Sequence, residues 1–217
     1  MTEHNTNDFD RLRHSLRRSM NGILAQQLRT VYPQYRLIYG LELTRISNIC
    51  SEFQADKILA LTLWQSCVRE EMIAATLLFP HDSVSLDDAQ TLIDSALTDE
   101  IRSLLARNLL SHSLSVEQLC ILMHSPSAWT CAVIAATSAS SRHDSSIVTA
   151  FFNSFSKHAE SLSLFQARAA AALLRTLYHN DRSLINRIEQ FIAPFESAPD
   201  LARRFLFQEV TTELNYG

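Results

Sequence analysis

Glycine and proline are scarce, three Gly and five Pro in 217 residues. A many-stranded sheet needs such residues at its hairpins, so their shortage excludes an all-β fold and points to helices. Lysine is nearly absent: Lys57 and Lys157 stand against seventeen Arg. Solubility alone would not produce that bias, because the planar arginine fork favours bidentate contact with carboxylate or phosphate. An overall basic excess is also lacking, with a formal net charge of −4. The chain is therefore not a generic polyanion binder, and any nucleic-acid site has to be a local stripe. Cys50, Cys67, Cys120 and Cys131 form no C-x-x-C pair and read as buried thiols in a reducing compartment. The most apolar stretch, Leu119 to Ala136, is interrupted by His124, Ser125, Pro126 and Ser127, so no membrane span is expected. The polar first twenty residues lack the apolar core of a secretory leader. The expectation is a cytoplasmic protein without a membrane partner. No H-E-x-x-H, Gly-rich phosphate loop or G-x-S-x-G occurs, and neither a metal nor a cofactor is implied.

What is present is helical periodicity. Hydrophobic residues make up 47% of the chain, enough to bury a sizeable core in one domain over residues 1–217, with residues 1–7 expected to be disordered. An N-terminal helix over residues 8–29 is followed by segments of about ten to fifteen residues, each bounded by a start signal such as Ser85 or Thr98. They read as helix, short turn, helix. The second helices of successive pairs begin near Val68, Asp99, Ala128, Leu164 and Asp200, a spacing of 29 to 36 residues. That period predicts an all-α solenoid of about six antiparallel helix pairs, in which neighbouring pairs stack into a continuous core. A repeated phrase supports it: Ile73-Ala74-Ala75-Thr76 returns as Ile134-Ala135-Ala136-Thr137. Small residues at these places let adjacent helices approach closely.

Few residues suggest chemistry. His81-Asp82 and His143-Asp144 fall in turns, where each pair is either a base with its orienter or a solvated loop. Glu70-Glu71 and Asp99-Glu100 are paired carboxylates in first helical turns, where capping accounts for most such pairs. Arg69, Arg102, Arg168 and Arg203 recur near the starts of the second helices, where the helix dipole mildly disfavours a cation. Stacked repeats would align them, with Arg107 and Arg175 further along, either as a row of phosphate contacts or as salt bridges to Glu70, Glu71 and Glu100. Trp64 reads as core. Trp129, beside a turn at a site equivalent to the Arg row, is a candidate for stacking on a base or sugar.

Several of these residues are shared with a known group. Gly40, Arg45, Leu63-Trp64, Ser66 and Arg69-Glu70-Glu71, within YGLELTRISNI, LALTLW-x-S and VREEMIAATLL, resemble the early repeats of the HEAT-like DNA alkylation repair glycosylases. The similarity covers residues 38–80 best and extends more faintly to 192. It implies a right-handed α-α superhelix of the HEAT-like, armadillo-type class. It also implies a concave face of second helices that holds duplex DNA, and release of N3- or N7-alkylated purines with the help of an Asp and flanking Trp residues. This chain departs from that pattern: Asp99 and Ala172 stand where the Trp residues belong, Ser103 where the Asp belongs, and Cys131 and Ala132 where an Arg pair belongs. The resemblance thus implies a member whose glycosylase site is lost or changed, with Asp99 or Glu100 as its carboxylate if activity remains. Double-stranded DNA on the Arg-bearing face, or a protein on the concave face, is the expected partner.

Overall fold

In the computed structural model the described residues are 3–139 and 144–216, all of them helical or in turns and loops. They divide into two compact units, Met1–Ser113 and Leu114–Gly217.

The first unit holds α1 (Glu3–Arg18), α2 (Gly22–Val31), α3 (Leu43–Cys50), α4 (Lys57–Gln65), α5 (Arg69–Leu78), α6 (Leu86–Ser95) and α7 (Asp99–Leu105). The last runs through a π-helical segment, Ala106–Leu110, into a closing turn, α8 (Ser111–Ser113). Where the pattern suggests one helix over residues 8–29 there are two, and the first begins at Glu3. The break has a local cause: Asn21 is extended at φ −111° and its Oδ1 accepts from the amides of Ile23 and Leu24, starting a new helix at Gly22. The other starts follow their caps. Ser85 and Asp88 close a capping box on α6, and the Thr98 hydroxyl accepts from the Ile101 amide on α7. Helix α5 is buried on nearly every side because α3, α4 and α7 all pack on it.

The second unit holds α9 (Val116–Met123), α10 (Trp129–Ser138), α11 (Ser145–Phe155), α12 (Leu164–Asn180), α13 (Ile185–Ile192) and α14 (Leu201–Tyr216). Here α10 packs on α12 and α12 on α14, while α9 packs on α11. Ala167, Ala169, Ala170 and Ala171 make the close approach possible, since all four are buried in α12. The repeated phrase marks equivalent core in the two units. Ala74, Ala75, Ala135 and Ala136 are wholly inaccessible, and the threonine at the end of each copy turns its hydroxyl back to a carbonyl of its own helix at 2.8 Å.

Candidate functional site

The start of α5 gathers the buried charged residues of the first unit, among the described residues. Cys67 adopts the left-handed backbone at φ 56°, which turns the chain sharply after α4. Val68 then lies alongside Leu37, with the Arg36 amide donating to Cys67 O at 2.9 Å and the Arg69 amide to Leu37 O at 3.0 Å. As a result Arg69, Glu70 and Glu71 are all buried in the first turn of a helix that has no side-chain cap.

Each of the three is fully engaged. Glu70 accepts from the amides of Tyr39, Gly40 and Leu41 at 2.8, 2.9 and 3.2 Å, and from Arg69 Nη1 at 3.0 Å. Its carboxylate thus binds the loop before α3 as an anion is bound in a nest of backbone donors. Glycine is required in that loop: Gly40 has φ +78°, and a Cβ there would collide with Asn21 O and Ala25 N at the start of α2. Glu71 receives the Arg13 fork at 2.8 and 2.7 Å and the Tyr39 hydroxyl at 2.8 Å. Burial by itself would raise the Glu71 carboxyl, but Arg13, Tyr39 and Ser66 outweigh it and hold the group below the usual carboxylate range. Capping, the expected role of Glu70 and Glu71, is not what they do.

Arg69 spans from α5 to α7. Its Nε and Nη2 donate to the two oxygens of Glu100 at 2.9 and 2.6 Å, and Nη1 also donates to Leu41 O at 3.0 Å. Burial opposes its charge, yet Glu100 and Glu70 raise the guanidinium above its ordinary value. This corrects the expected phosphate contact at Arg69, because the side chain is only 5% exposed and its donors point inward. It also corrects Glu100 as a free catalytic carboxylate. Asp99, by contrast, is exposed and lies 3.4 Å from Arg102 one turn on.

The other candidates are spread over the two units. Arg107 is exposed in the π-helical segment and forms no ion pair among the described residues. In the second unit Arg175 reaches Glu209 across α12 and α14 at 3.2 Å, and Arg203 pairs with Asp200, which also accepts its amide at 2.8 Å. Arg168 is exposed, with its guanidinium carbon 5.9 Å from the Phe205 ring centre. Arg69 therefore follows the salt-bridge reading with two of its expected partners, Glu70 and Glu100, whereas Arg102, Arg175 and Arg203 pair with other carboxylates, Asp99, Glu209 and Asp200. Trp129 is corrected outright: its exposure is 0%, its ring stacks on His158 at 4.7 Å and Phe151 at 6.0 Å, and Nε1 donates to Ser154 Oγ at 3.0 Å. The turn before it does not expose it because α11 closes over the indole. Trp64 is core as expected, donating to Ser95 Oγ at 2.9 Å.

His81 and Asp82 are exposed without a hydrogen bond between them, and the His81 ring stacks on His112 at 5.1 Å. The pair does not form a base with its orienter. His143 lies outside the described residues, and Asp144 caps α11 by accepting from the Ser146 amide at 2.7 Å. Cys50 and Cys131 are buried, whereas Cys67 and Cys120 are half-buried. Burial pushes the Cys50 thiol up to about 12, which marks it as packing and not a nucleophile. Among the described residues no cluster of three or more His, Cys, Asp or Glu is placed to hold a metal ion, and no helix is long and apolar enough to cross a membrane.

The sequence pattern misses Arg13 and Tyr39 and the role of the 39–41 loop, although Gly40 stands out both as one of only three glycines and within the shared YGLELTRISNI segment. Comparison of the chain with family models, with curated proteins and with solved structures finds no match.

Proposed function

We propose that this chain is a HEAT-like helical-repeat protein, related to the DNA alkylation repair glycosylases, that acts by binding and not by base excision. The observation that carries this reading is the Arg69–Glu100 pair. A carboxylate that stabilises an oxocarbenium-like sugar has to be unpaired and aimed at the reacting group, and Glu100 gives both oxygens to Arg69. Asp99 remains an exposed carboxylate beside Arg102, and the chain's two Trp side chains, Trp64 and Trp129, are both spent in packing. Support for the repeat architecture comes from the packing of second helix on second helix, α5 on α7 in one unit and α10, α12 and α14 in succession in the other. Four free cysteines fit a reducing, cytoplasmic compartment.

The ligand on this reading is a protein surface, because carboxylates already occupy Arg69, Arg102, Arg175 and Arg203, which a phosphate backbone would need. Duplex DNA is the second reading, and it is favoured by Arg107 and Arg168, which stay exposed without a carboxylate partner among the described residues. Incubation with DNA containing 7-methylguanine tests the main claim: no base is released above the protein-free control. Release that vanishes in Asp99→Asn or Glu100→Gln would overturn it. Titration of undamaged duplex separates the two partner classes. Binding that falls steeply with salt, with a slope reduced in Arg107→Ala and Arg168→Ala, selects DNA. Absence of salt-dependent binding removes the DNA reading.

A further inference from the structure

Seven of the seventeen arginines fall within residues 11–50, against one carboxylate, Glu42. The rest of the chain is acidic, so this local excess is the stripe that a net charge of −4 conceals. Two of the seven, Arg11 and Arg13, are used in ion pairs with Asp8 and Glu71. Among the described residues Arg18 and Arg45 have no such pair, and they meet at a groove of about 370 Å³ between the end of α1 and α3, lined also by Ser15, Ser19, Asn48 and Glu52.

The geometry there is that of an anion site. Arg45 aims Nε and Nη2, the edge that matches two oxygens of one anion, at a single neutral acceptor, Ser19 Oγ, at 3.1 and 3.0 Å. Arg18 is exposed on the last turn of α1 and has no hydrogen-bond or ion-pair partner among the described residues. Neither guanidinium pairs with Glu52 at the edge of the groove or with Glu42, which lines the adjoining hollow that Arg18, Ser19 and Arg45 share with Asn21. Hydroxyls of Ser15 and Ser19 and the Asn48 amide supply further neutral donors at the groove wall. The volume is at the small end of the range for ligand sites, about 300 to 1,000 Å³, which suits a phosphate group with little attached to it.

We infer that this groove binds a phosphate group, with the Arg45 fork moving from Ser19 onto two phosphate oxygens and Arg18 closing on a third. The site stands apart from the second-helix arginines and does not depend on the reading proposed for them. The phosphate comes either from a small phosphorylated molecule or from a nucleic-acid backbone, and the test separates these sources.

Calorimetric titration with sodium pyrophosphate, against sodium chloride at matched ionic strength, reads the site directly. Wild type is expected to bind pyrophosphate saturably at one site. Arg18→Gln and Arg45→Gln each weaken binding on the order of tenfold, and Arg45→Lys, which keeps the charge and loses the fork, also weakens it. Both side chains are exposed, so thermal melting of the variants stays at the wild-type temperature and fixes the loss on binding. A parallel titration with a short DNA duplex identifies the source. If the duplex binds, is displaced by pyrophosphate and is weakened by the same variants, the phosphate is that of nucleic acid. If only pyrophosphate binds, it is that of a small molecule. No saturable binding of either, or binding that both Gln variants leave unchanged, overturns the inference and leaves Arg18 as a cation that only complements the end of α1.

Discussion

Arg69 shows how one side chain decides between two functions. Near a helix N-terminus an arginine is an apparent anomaly that suggests a phosphate, because the dipole disfavours it. With Glu70 beside it and Glu100 on the next second helix, it becomes the bridge between α5 and α7. The sequence shows the residue types and their spacing, but not which face of the first turn is buried. That depends on Cys67 at φ 56° and on the loop at Leu37, both distant from the motif or unusual in type. Trp129 was illegible for the same reason, since only the position of α11 shows that Phe151, Phe155 and His158 enclose it. His158 carries a consequence for pH. Burial and the neighbouring Lys157 lower its pKa below the ordinary histidine value of 6.5. The unfolded chain therefore takes up the proton first as pH falls, and the contribution of neutral His158 to stability is lost below that value. Urea unfolding is expected to show the second unit weaker at roughly pH 5 than at pH 7.5, with part of that difference removed in His158→Phe. An unchanged pH dependence in the variant would show that other groups carry it.

Among the elements, the starts of the second helices were legible from the sequence, with or without a side-chain cap. Ser85 and Thr98 each start a helix at the place their hydroxyls imply, and the starts of α5, α7, α10, α12 and α14 lie within a residue of the expected positions. The division of residues 8–29 into α1 and α2 was not legible, because hydrophobic spacing continues across Asn21 while the cap interrupts it. Nor was the 39–41 loop, whose three amides depend on a carboxylate from α5. Gly40→Ala is expected to cost about 3 kcal/mol or more, through the positive φ and the collision with the backbone of α2. Glu70→Gln should be nearly as harmful, because an amide nitrogen in place of either oxygen would face backbone donors. Urea unfolding measures both, and a change under about 0.5 kcal/mol in Gly40→Ala would show that the loop can move away from α2.

Over the whole molecule, charge is apportioned between fold and surface. The all-helical class followed from composition, and the described residues form no strand element. Function was harder to read because arginine serves a carboxylate and a phosphate equally well. Only burial and pairing distinguish these uses: Arg13, Arg69, Arg175 and Arg203 are paired with acidic side chains, whereas among the described residues Arg18 and Arg45 are not. The central claim is that the charged residues at the second-helix starts hold the structure. A double-mutant cycle on Arg69→Met and Glu100→Gln, followed by urea unfolding, tests it most directly. Each single change is expected to cost about 3 kcal/mol, since it leaves a buried charge without its partner. The double variant should lose about 2 kcal/mol less than the sum of the two. Additive losses, or single variants as stable as wild type, would contradict the account and return Arg69 and Glu100 to the list of residues kept for a ligand.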